Sequence, residues 1–316
     1  MRRPDRIFAL VLIVLCLVAS LGNWLSTLIP RRPLTSAPAS GPEIALIKIS
    51  GPIAEGAEGG IFQSGDTGST RIVKAIRQAR QDKAKAILLQ INSPGGTASA
   101  SLAIHRELMR TRQTSQTKVV ALLGDVAASG GYYVATAAEH IVANPDTLTG
   151  SIGVIIRTQN VASLLDKVGI ESGNFKSGEF KDILSPYRPS TPAEKQILQT
   201  LVDESYQQFL EAIATGREMP LDKIKPYADG RIFSGSQALA ANLVDSLGNY
   251  YDAIDVVREL AGIKAENPKV DLYPPNRFPG RLGDLFTSTV ESLVPGYQQV
   301  QFAAKSRGLP LMLWDY

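Results

Sequence analysis

Cysteine is almost absent from this chain of 316 residues, because Cys16 is the only one and lies near the amino terminus. Everything after it therefore contains no disulfide, no thiol nucleophile and no thiolate metal site. Histidine is nearly as scarce, with only His105 and His140. Two histidines are too few for a histidine-built metal centre. These absences exclude several classes of catalytic and metal-binding protein, and we expect no metal or organic cofactor.

An excess of charge of one sign is also lacking. The chain has 33 basic and 30 acidic side chains, a formal net charge of +3, and the two signs are spread evenly. A nucleic-acid-binding surface requires basic side chains gathered into a stripe or patch. The sequence shows no such stripe, and we therefore expect no nucleic-acid partner.

One long hydrophobic run is present, at the amino terminus. Arg2, Arg3 and Arg6 precede an uncharged apolar stretch over residues 7–29. A helix needs about 20 apolar residues to cross a bilayer, whereas a cleaved secretory signal has a shorter apolar region. We expect residues 1–29 to be an uncleaved signal anchor, with a cleaved signal as the alternative. The leading arginines favour a cytoplasmic amino terminus, which places the rest of the chain on the extracytoplasmic side of the cell membrane.

Composition divides the remaining chain into three parts. Residues 30–42 are rich in proline, serine and alanine, as in a flexible tether. Residues 43–265 have the alternating pattern of one folded domain. The tail, residues 266–316, contains an amphipathic stretch over residues 282–293 and an apolar end over residues 309–316.

Within the central part, short apolar runs alternate with segments of helical periodicity. The first three runs are almost continuously apolar, as in strands buried on both faces of a parallel sheet. This alternation predicts an α/β domain with right-handed crossovers. The predicted strands are residues 44–49, 86–91, 118–123, 140–143 and 152–156, and the predicted helices are residues 70–81, 99–111, 192–215, 238–243 and 250–260.

Ser129 follows the third of these strands and precedes a helix that begins at Gly130 and Gly131. At a helix amino terminus the first backbone N–H groups are unpaired and attract negative charge. A serine nucleophile needs such donors, because the oxyanion that it creates must be stabilised. Serine is also a common helix cap, so a purely structural role for Ser129 is the alternative.

The loop Asn92-Ser-Pro-Gly-Gly96 follows the neighbouring predicted strand. The carboxyl ends of adjacent parallel strands lie side by side, and sites form there. The N–H groups of Gly96 and Gly130 can therefore converge on one carbonyl oxygen as an oxyanion hole. An ordinary strand–helix turn is the alternative for this loop.

The base that would activate Ser129 is less evident. His140 follows Ser129 by eleven residues, about 15 Å along a helix axis, and His105 lies in the middle of a predicted helix. A Ser-His-Asp triad is therefore poorly supported. A lysine can act as a base when burial or a neighbouring cation lowers its pKa. Lys176 and Lys181 lie together after the last predicted strand, and the residues alone do not decide between them.

Five motifs occur in order between residues 43 and 262. Together they resemble the short-form signal peptide peptidase A family, peptidase family S49, which has the Clp/crotonase fold; residues 43–265 would then be its serine peptidase domain. The motifs are Asn92-Ser-Pro-Gly-Gly96, Ala127-Ala-Ser-Gly-Gly-Tyr-Tyr133, Thr149-Gly-Ser-Ile-Gly-Val154, Lys176-Ser-Gly-x-x-Lys181-Asp182 and Asp229-Gly-Arg-Ile-Phe-Ser-Gly-x-Gln-Ala238.

The resemblance implies a role for each site residue. Ser129 would be the nucleophile, Lys181 the general base, and Ser151 would orient the lysine amine. The N–H groups of Gly96 and Gly130 would form the oxyanion hole. The resemblance further implies apolar peptides such as cleaved signal peptides as substrates. It also implies a homo-oligomeric ring in which the serine and lysine of one site come from adjacent protomers.

Two other functions remain open from the sequence. One is a crotonase-type enzyme acting on a coenzyme A thioester, which would need a cytoplasmic site and a catalytic carboxylate. The other is a non-catalytic membrane scaffold, in which the same motifs only pack.

Overall fold

The computed structural model of the chain describes residues 41–56, 68–274 and 311–313. The predicted anchor, nearly all of the predicted tether and most of the tail, including the amphipathic stretch over residues 282–293, lie outside these residues. Within the described ranges, every helix is too short or too polar to cross a membrane.

The described strands form an eight-stranded mixed sheet and a separate two-stranded sheet. In chain order they are β1 (Ile44–Ser50), β2 (Ala86–Ser93), β3 (Gly95–Thr97), β4 (Lys118–Ala128), β5 (His140–Ala143), β6 (Leu148–Gly150), β7 (Ile232–Ser234), β8 (Ser246–Leu247), β9 (Val270–Tyr273) and β10 (Leu311–Leu313).

The centre of the large sheet is parallel, as predicted. Strand β2 lies between β1 and β4 and pairs in parallel with both. Its residues point alternately to opposite faces, and both faces are buried. Ile87 and Leu89 belong to one apolar core, while Ala86 and Leu88 belong to another on the opposite face. Burial on two faces explains why this strand is almost continuously apolar.

The helices cover both faces of the sheet, giving a mixed α/β fold. Buried residues of α1, α2, α3 and α5 join the larger core, whereas those of α8 join the core on the other face. The described helices are α1 (Ser69–Gln81), α2 (Ala98–Thr114), α3 (Gly130–Ala135), α4 (Ala162–Lys167), α5 (Pro192–Gly216), α6 (Leu221–Ile224), α7 (Gly235–Ala240) and α8 (Tyr250–Ala261), with a 3₁₀ turn at Lys225–Tyr227.

Strand β4 is the longest described strand and leads to Ser129. Its first half pairs with β2 and β5, while Val126–Ala128 pairs with β6. Strand β6 in turn pairs antiparallel with β7. The carboxyl end of β4 is thus held on both sides, which fixes the backbone that enters the turn at Ser129.

The strand predicted over residues 152–156 is wrong. The strand at this place is β6, and it ends at Gly150. Gly150 and Ser151 have positive φ values of 78° and 48°, which turn the backbone out of the extended conformation. A β-carbon on Gly150 would lie 2.4 Å from the ring of Phe233, so only glycine fits there.

The predicted helix over residues 238–243 begins three residues too late. Ser234 is the cap itself: its hydroxyl accepts a hydrogen bond from the Gln237 N–H, and its own N–H donates to Gln237 Oε1. In this reciprocal motif the first helical residue follows the cap directly. Helix α7 therefore runs from Gly235 to Ala240.

Candidate active site

Ser129 occupies a sharp turn between β4 and α3. Its φ is 53° and its ψ is −116°, a sparsely populated conformation for a residue with a side chain. Two hydrogen bonds maintain it: the Ser129 N–H donates to the Gly150 carbonyl at 2.8 Å, and the Ser129 carbonyl accepts from the Tyr133 N–H at 2.8 Å. The neighbouring strand and the following helix thus impose the strained backbone.

The Ser129 side chain does not cap the helix that it precedes. It makes no capping hydrogen bond to α3, and the residue is only 1% exposed. Ser129 is therefore the N-cap residue of α3 by position only, and its hydroxyl takes no part in capping. Strained backbone of this kind is found at functional sites, where the surrounding structure maintains it.

Gly131 brings α3 into close contact with the end of β2. A β-carbon on Gly131 would lie 2.9 Å from the Ser93 carbonyl oxygen, so a side chain would force the helix away. Helix α3 contacts both β2 and β3. The loop that contains Gly96 and the turn that contains Gly130 consequently meet at the carboxyl ends of β2 and β4, where the sequence places them.

Gly96 lies in β3, tightly packed against the backbone of Ile53. A β-carbon on Gly96 would be 1.7 Å from the Ile53 carbonyl oxygen. Ile53 donates its N–H to the Gly95 carbonyl at 2.7 Å and accepts from the Thr97 N–H at 2.8 Å. Because successive residues of a strand direct their polar groups to opposite sides, the Gly96 N–H points away from Ile53, towards the other edge of β3.

That other edge is occupied by Leu311–Leu313. Strand β10 pairs antiparallel with β3, and Met312 lies opposite Gly96. The edge that carries the predicted oxyanion donor therefore accepts an extended backbone. Proteins that bind extended peptides commonly do so by adding a strand to such an edge.

Ser151 lies close to the Ser129 turn through β6. It directly follows Gly150, whose carbonyl accepts the Ser129 N–H. Its own N–H donates to the Arg231 carbonyl at 2.8 Å, and the residue is mostly buried. The structure therefore brings Ser151 next to the backbone partner of Ser129.

Lys181 lies in a different environment. It belongs to what we call the lysine arm (residues 155–190), in which every residue from 166 to 181 is exposed. Within the part of the chain that the structure describes, Lys181 makes no hydrogen bond to Ser129. The Lys176 amine donates to Asp182 at 2.7 Å and to the Glu179 carbonyl at 2.8 Å. The Lys176 amine is thus engaged by two acceptors of its own arm.

The lysine arm also exposes large apolar side chains. Helix α4, within the arm, has no buried residue. Apolar side chains gathered on one exposed segment are typical of a protein–protein contact. The exposed apolar residues of the arm are Ile155, Leu164, Val168, Ile170, Phe175, Phe180 and Tyr187.

Both histidines have structural surroundings. The His105 ring is buried and lies 5.0 Å from the Tyr133 ring. Burial lowers the pKa of His105 to about 4, and the charges of Arg112 and Arg106 act in the same direction. His140 Nε2 lies 2.9 Å from the Ser246 hydroxyl. These contacts agree with the expectation that neither histidine is the base.

Comparisons with known proteins identify the family. The sequence profile of Peptidase family S49 matches residues 111–264, and the profile of Clp protease matches residues 62–147. The chain is 39% identical over 278 residues to "Putative protease slr0021" of Synechocystis sp., a match that covers 86% of this chain and 96% of that protein.

Two longer relatives are also similar. The chain is 38% identical over 226 residues to "Protease 4" of Salmonella typhi, covering 71% of this chain and 36% of that protein. It is 34% identical over 255 residues to "Serine protease SPPA, chloroplastic" of Arabidopsis thaliana, covering 80% of this chain and 37% of that protein. The chain thus spans little more than a third of these two relatives. It belongs to peptidase family S49 and is a serine peptidase with a mixed α/β fold of the Clp protease type.

Proposed function

We propose that the chain is a membrane-anchored serine endopeptidase that uses a Ser129–Lys181 dyad to degrade apolar peptides such as cleaved signal peptides. The observation that carries the proposal is the pairing of an extended segment with Gly95–Thr97, beside the strained turn of Ser129. A peptide held in this way presents its carbonyl groups to the edge of β3. The matched family is a peptidase family, so nothing supports the thioester and scaffold alternatives.

The proposed reaction transfers an acyl group to water. Neutral Lys181 accepts the Ser129 proton, and the serine oxygen bonds to the peptide carbonyl carbon. The N–H groups of Gly96 and Gly130 donate to the oxyanion. The carbon–nitrogen bond then breaks as Lys181 returns the proton to the leaving amine. Water repeats these steps on the acyl-enzyme, which releases the second peptide and regenerates Ser129.

The two halves of the dyad would come from different protomers. Ser129 is buried in the fold of its own chain, while Lys181 lies on an exposed apolar arm. We infer that the lysine arm packs against the neighbouring protomer and inserts Lys181 into that protomer's site, where Ser151 orients the amine. A head-to-tail contact of this kind closes into a homo-oligomeric ring.

The substrate would bind as a strand along β3, in the place that Leu311–Leu313 occupies. Only backbone hydrogen bonds are needed along that edge, so the edge accepts many sequences. An anchor over residues 7–29 would hold the ring at the extracytoplasmic surface of the cell membrane, close to apolar peptides left there. The tail and a substrate would then compete for one edge.

A mixing experiment tests the shared site on the detergent-solubilised full chain. Ser129→Ala and Lys181→Ala should each be inactive and should each fail to react with a fluorophosphonate, while Lys176→Ala should behave as wild type. When the two inactive variants are co-assembled in equal amounts, about a quarter of the sites should receive an intact serine and an intact lysine.

Recovery of activity and labelling in the mixture supports the shared dyad. If the mixture stays inactive although native mass shows mixed rings, the two residues act within one protomer. Full activity of Lys181→Ala alone would show that Lys181 is not the base.

A further inference from the structure

A group of four charged side chains ties the lysine arm to helix α5. It consists of Lys176, Asp182, Arg188 and Glu194. Asp182 directly follows Lys181 in the chain, and Glu194 lies in the first turn of α5. The position of the turn that carries Lys181 is therefore linked to the start of a long helix.

Arg188 is the centre of this group and contacts two carboxylates at once. Its Nε donates to Asp182 Oδ2 at 2.9 Å, and its Nη2 donates to Asp182 Oδ1 at 2.8 Å. On the other side, its Nη1 donates to Glu194 Oε2 at 2.9 Å, and its Nη2 also donates to Glu194. Only the planar guanidinium can bind two carboxylates in this forked geometry.

Glu194 gives the group a rigid attachment. Its side chain is 2% exposed. It accepts the Thr191 N–H at 2.8 Å, while the Thr191 hydroxyl accepts the Glu194 N–H at 3.2 Å. This capping box fixes the Glu194 carboxylate at the start of α5. Because Arg188 binds this carboxylate, Arg188 is fixed to α5 as well.

Asp182 has its carboxylate fully engaged by cations. Lys176 donates to Oδ1, and Arg188 donates to both oxygens. Arg188, and then Lys176, hold the pKa of Asp182 well below its usual range, and Arg188 lowers the pKa of Glu194 to about 2. Both carboxylates therefore stay charged, and the group stays paired, at any pH at which the enzyme would work.

We propose that Arg188 is a positioning residue for the peptidase reaction: by binding Asp182 and Glu194 at once, it fixes the turn that carries Lys181 to helix α5. This inference rests on the proposed role of Lys181 as the base. A base displaced by about 1 Å can lose about 100-fold in rate.

The test uses Arg188→Met in the detergent-solubilised full chain. We expect kcat for an apolar peptide to fall about 10- to 100-fold, because proton transfer depends on the position of the base. KM should change less than about twofold, because substrate binds along β3 rather than at Arg188. The rate of fluorophosphonate labelling of Ser129 should fall in parallel with kcat, while native mass stays that of the wild-type oligomer.

Two further variants sharpen the measurement. Arg188→Lys keeps the charge but cannot bind both carboxylates, so its kcat should remain below about a third of wild type. Arg258→Met is the matched control. It removes an ion pair to Asp255 on α8, which packs on the opposite face of the sheet. This control should keep wild-type kcat and labelling.

The results distinguish an error in the role of Arg188 from an error in the Ser129–Lys181 dyad. If Lys181→Ala is inactive but Arg188→Met keeps wild-type kcat, the positioning role is wrong and the dyad stands. If Lys181→Ala is active, both are wrong. Should Arg188→Met not assemble, Asp182→Asn removes the same ion pair from the other side; wild-type kcat in that variant also overturns the proposal.

Discussion

The Ser129 turn and the lysine arm belong to one chain and differ in almost every physical respect. Ser129 is 1% exposed, and strands on both sides of β4 fix its strained backbone. The arm is exposed from residue 166 to 181, and its helix has no buried side chain. One half of the proposed dyad is thus complete within a protomer. The other half lies on a segment whose large apolar side chains are exposed.

The two segments are held in place by different kinds of contact. The buried half owes its geometry to intrachain contacts, in which Gly96 and Gly131 permit close approach of backbones. The arm owes its local order to a charged group around Arg188 and offers its apolar side chains outward. Substitutions in the two regions should therefore have different consequences for the protomer and for the assembly.

The largest contrast is expected between glycines of the two regions. In Gly96→Ala the new β-carbon would meet the Ile53 carbonyl oxygen at 1.7 Å, so β3 must move. We expect kcat to fall about 100-fold or more, because the proposed oxyanion donor is displaced. The control is Gly173→Ala, in the arm but outside the motif that contains Lys181, where a β-carbon also meets nothing within 4 Å. Peptidase assays should show wild-type kcat for the control, and an active Gly96→Ala would remove Gly96 from the oxyanion hole.

The second contrast is between stability of the protomer and stability of the assembly. Phe175 is fully exposed in the single chain, so Phe175→Ser should leave the thermal midpoint of the protomer unchanged. If the arm packs on a neighbour, loss of this aromatic side chain should weaken that contact by about 2 kcal/mol, more than tenfold in dissociation constant.

Activity measured over a dilution series separates the outcomes. Phe175→Ser should lose activity at a protein concentration at which the wild type retains it, and native mass should show smaller species there. The same dilution curve for variant and wild type would argue against the arm as an interface.

The third contrast concerns acid stability, which the buried half should determine. His105 has a folded-state pKa of about 4 against an ordinary 6.5, so the unfolded chain takes up its proton first as pH falls. Stability is therefore lost as pH falls from 6.5 through about 4, by about 3 kcal/mol in all. His105→Phe should remove this loss and keep the ring contact with Tyr133. The free energy of unfolding, measured with denaturant at pH 7 and pH 4 for the wild type and the variant, tests this. If His105→Phe shows the wild-type pH dependence, His105 is not the source of the loss.

The sequence predicts the buried half better than the arm. Apolar runs identify β1, β2 and β4, because strands buried on two faces carry few polar side chains. The apolar pattern fails at residues 152–156. Ile152 and Val154 alternate as in a strand, but the backbone leaves the extended conformation before them, at Ser151, whose φ is positive. That conformation depends on a hydrogen bond to Arg231, far along the chain. The spacing of apolar residues does not indicate a contact between residues so far apart in the chain.

The candidate active site is likewise only partly predictable from the sequence. Ser129 and Gly96 follow predicted strands, so their meeting at one edge of the sheet is foreseeable. The strain at Ser129 is not, because a serine before a helix is ordinarily a cap. Arg188 is missed altogether: it lies six residues from both Asp182 and Glu194, a spacing that belongs to no regular element. Within the described residues Lys181 makes no hydrogen bond to Ser129, so its role as the base stays a prediction from the family resemblance.

The smallest effect is expected at the edge of β3, where we propose that the substrate binds. Leu311–Leu313 pairs with Gly95–Thr97, so a bound peptide must displace it. Removing residues 309–316 from the full chain should lower KM for an apolar peptide about two- to fivefold and leave kcat unchanged, because the tail competes for binding and takes no part in proton transfer. A synthetic peptide of residues 309–316 should restore the wild-type KM competitively, whereas a scrambled peptide of equal composition serves as the control for nonspecific apolar binding. An increase in KM after truncation would instead mean that the tail completes the edge rather than blocking it, and the substrate strand would then have to bind elsewhere.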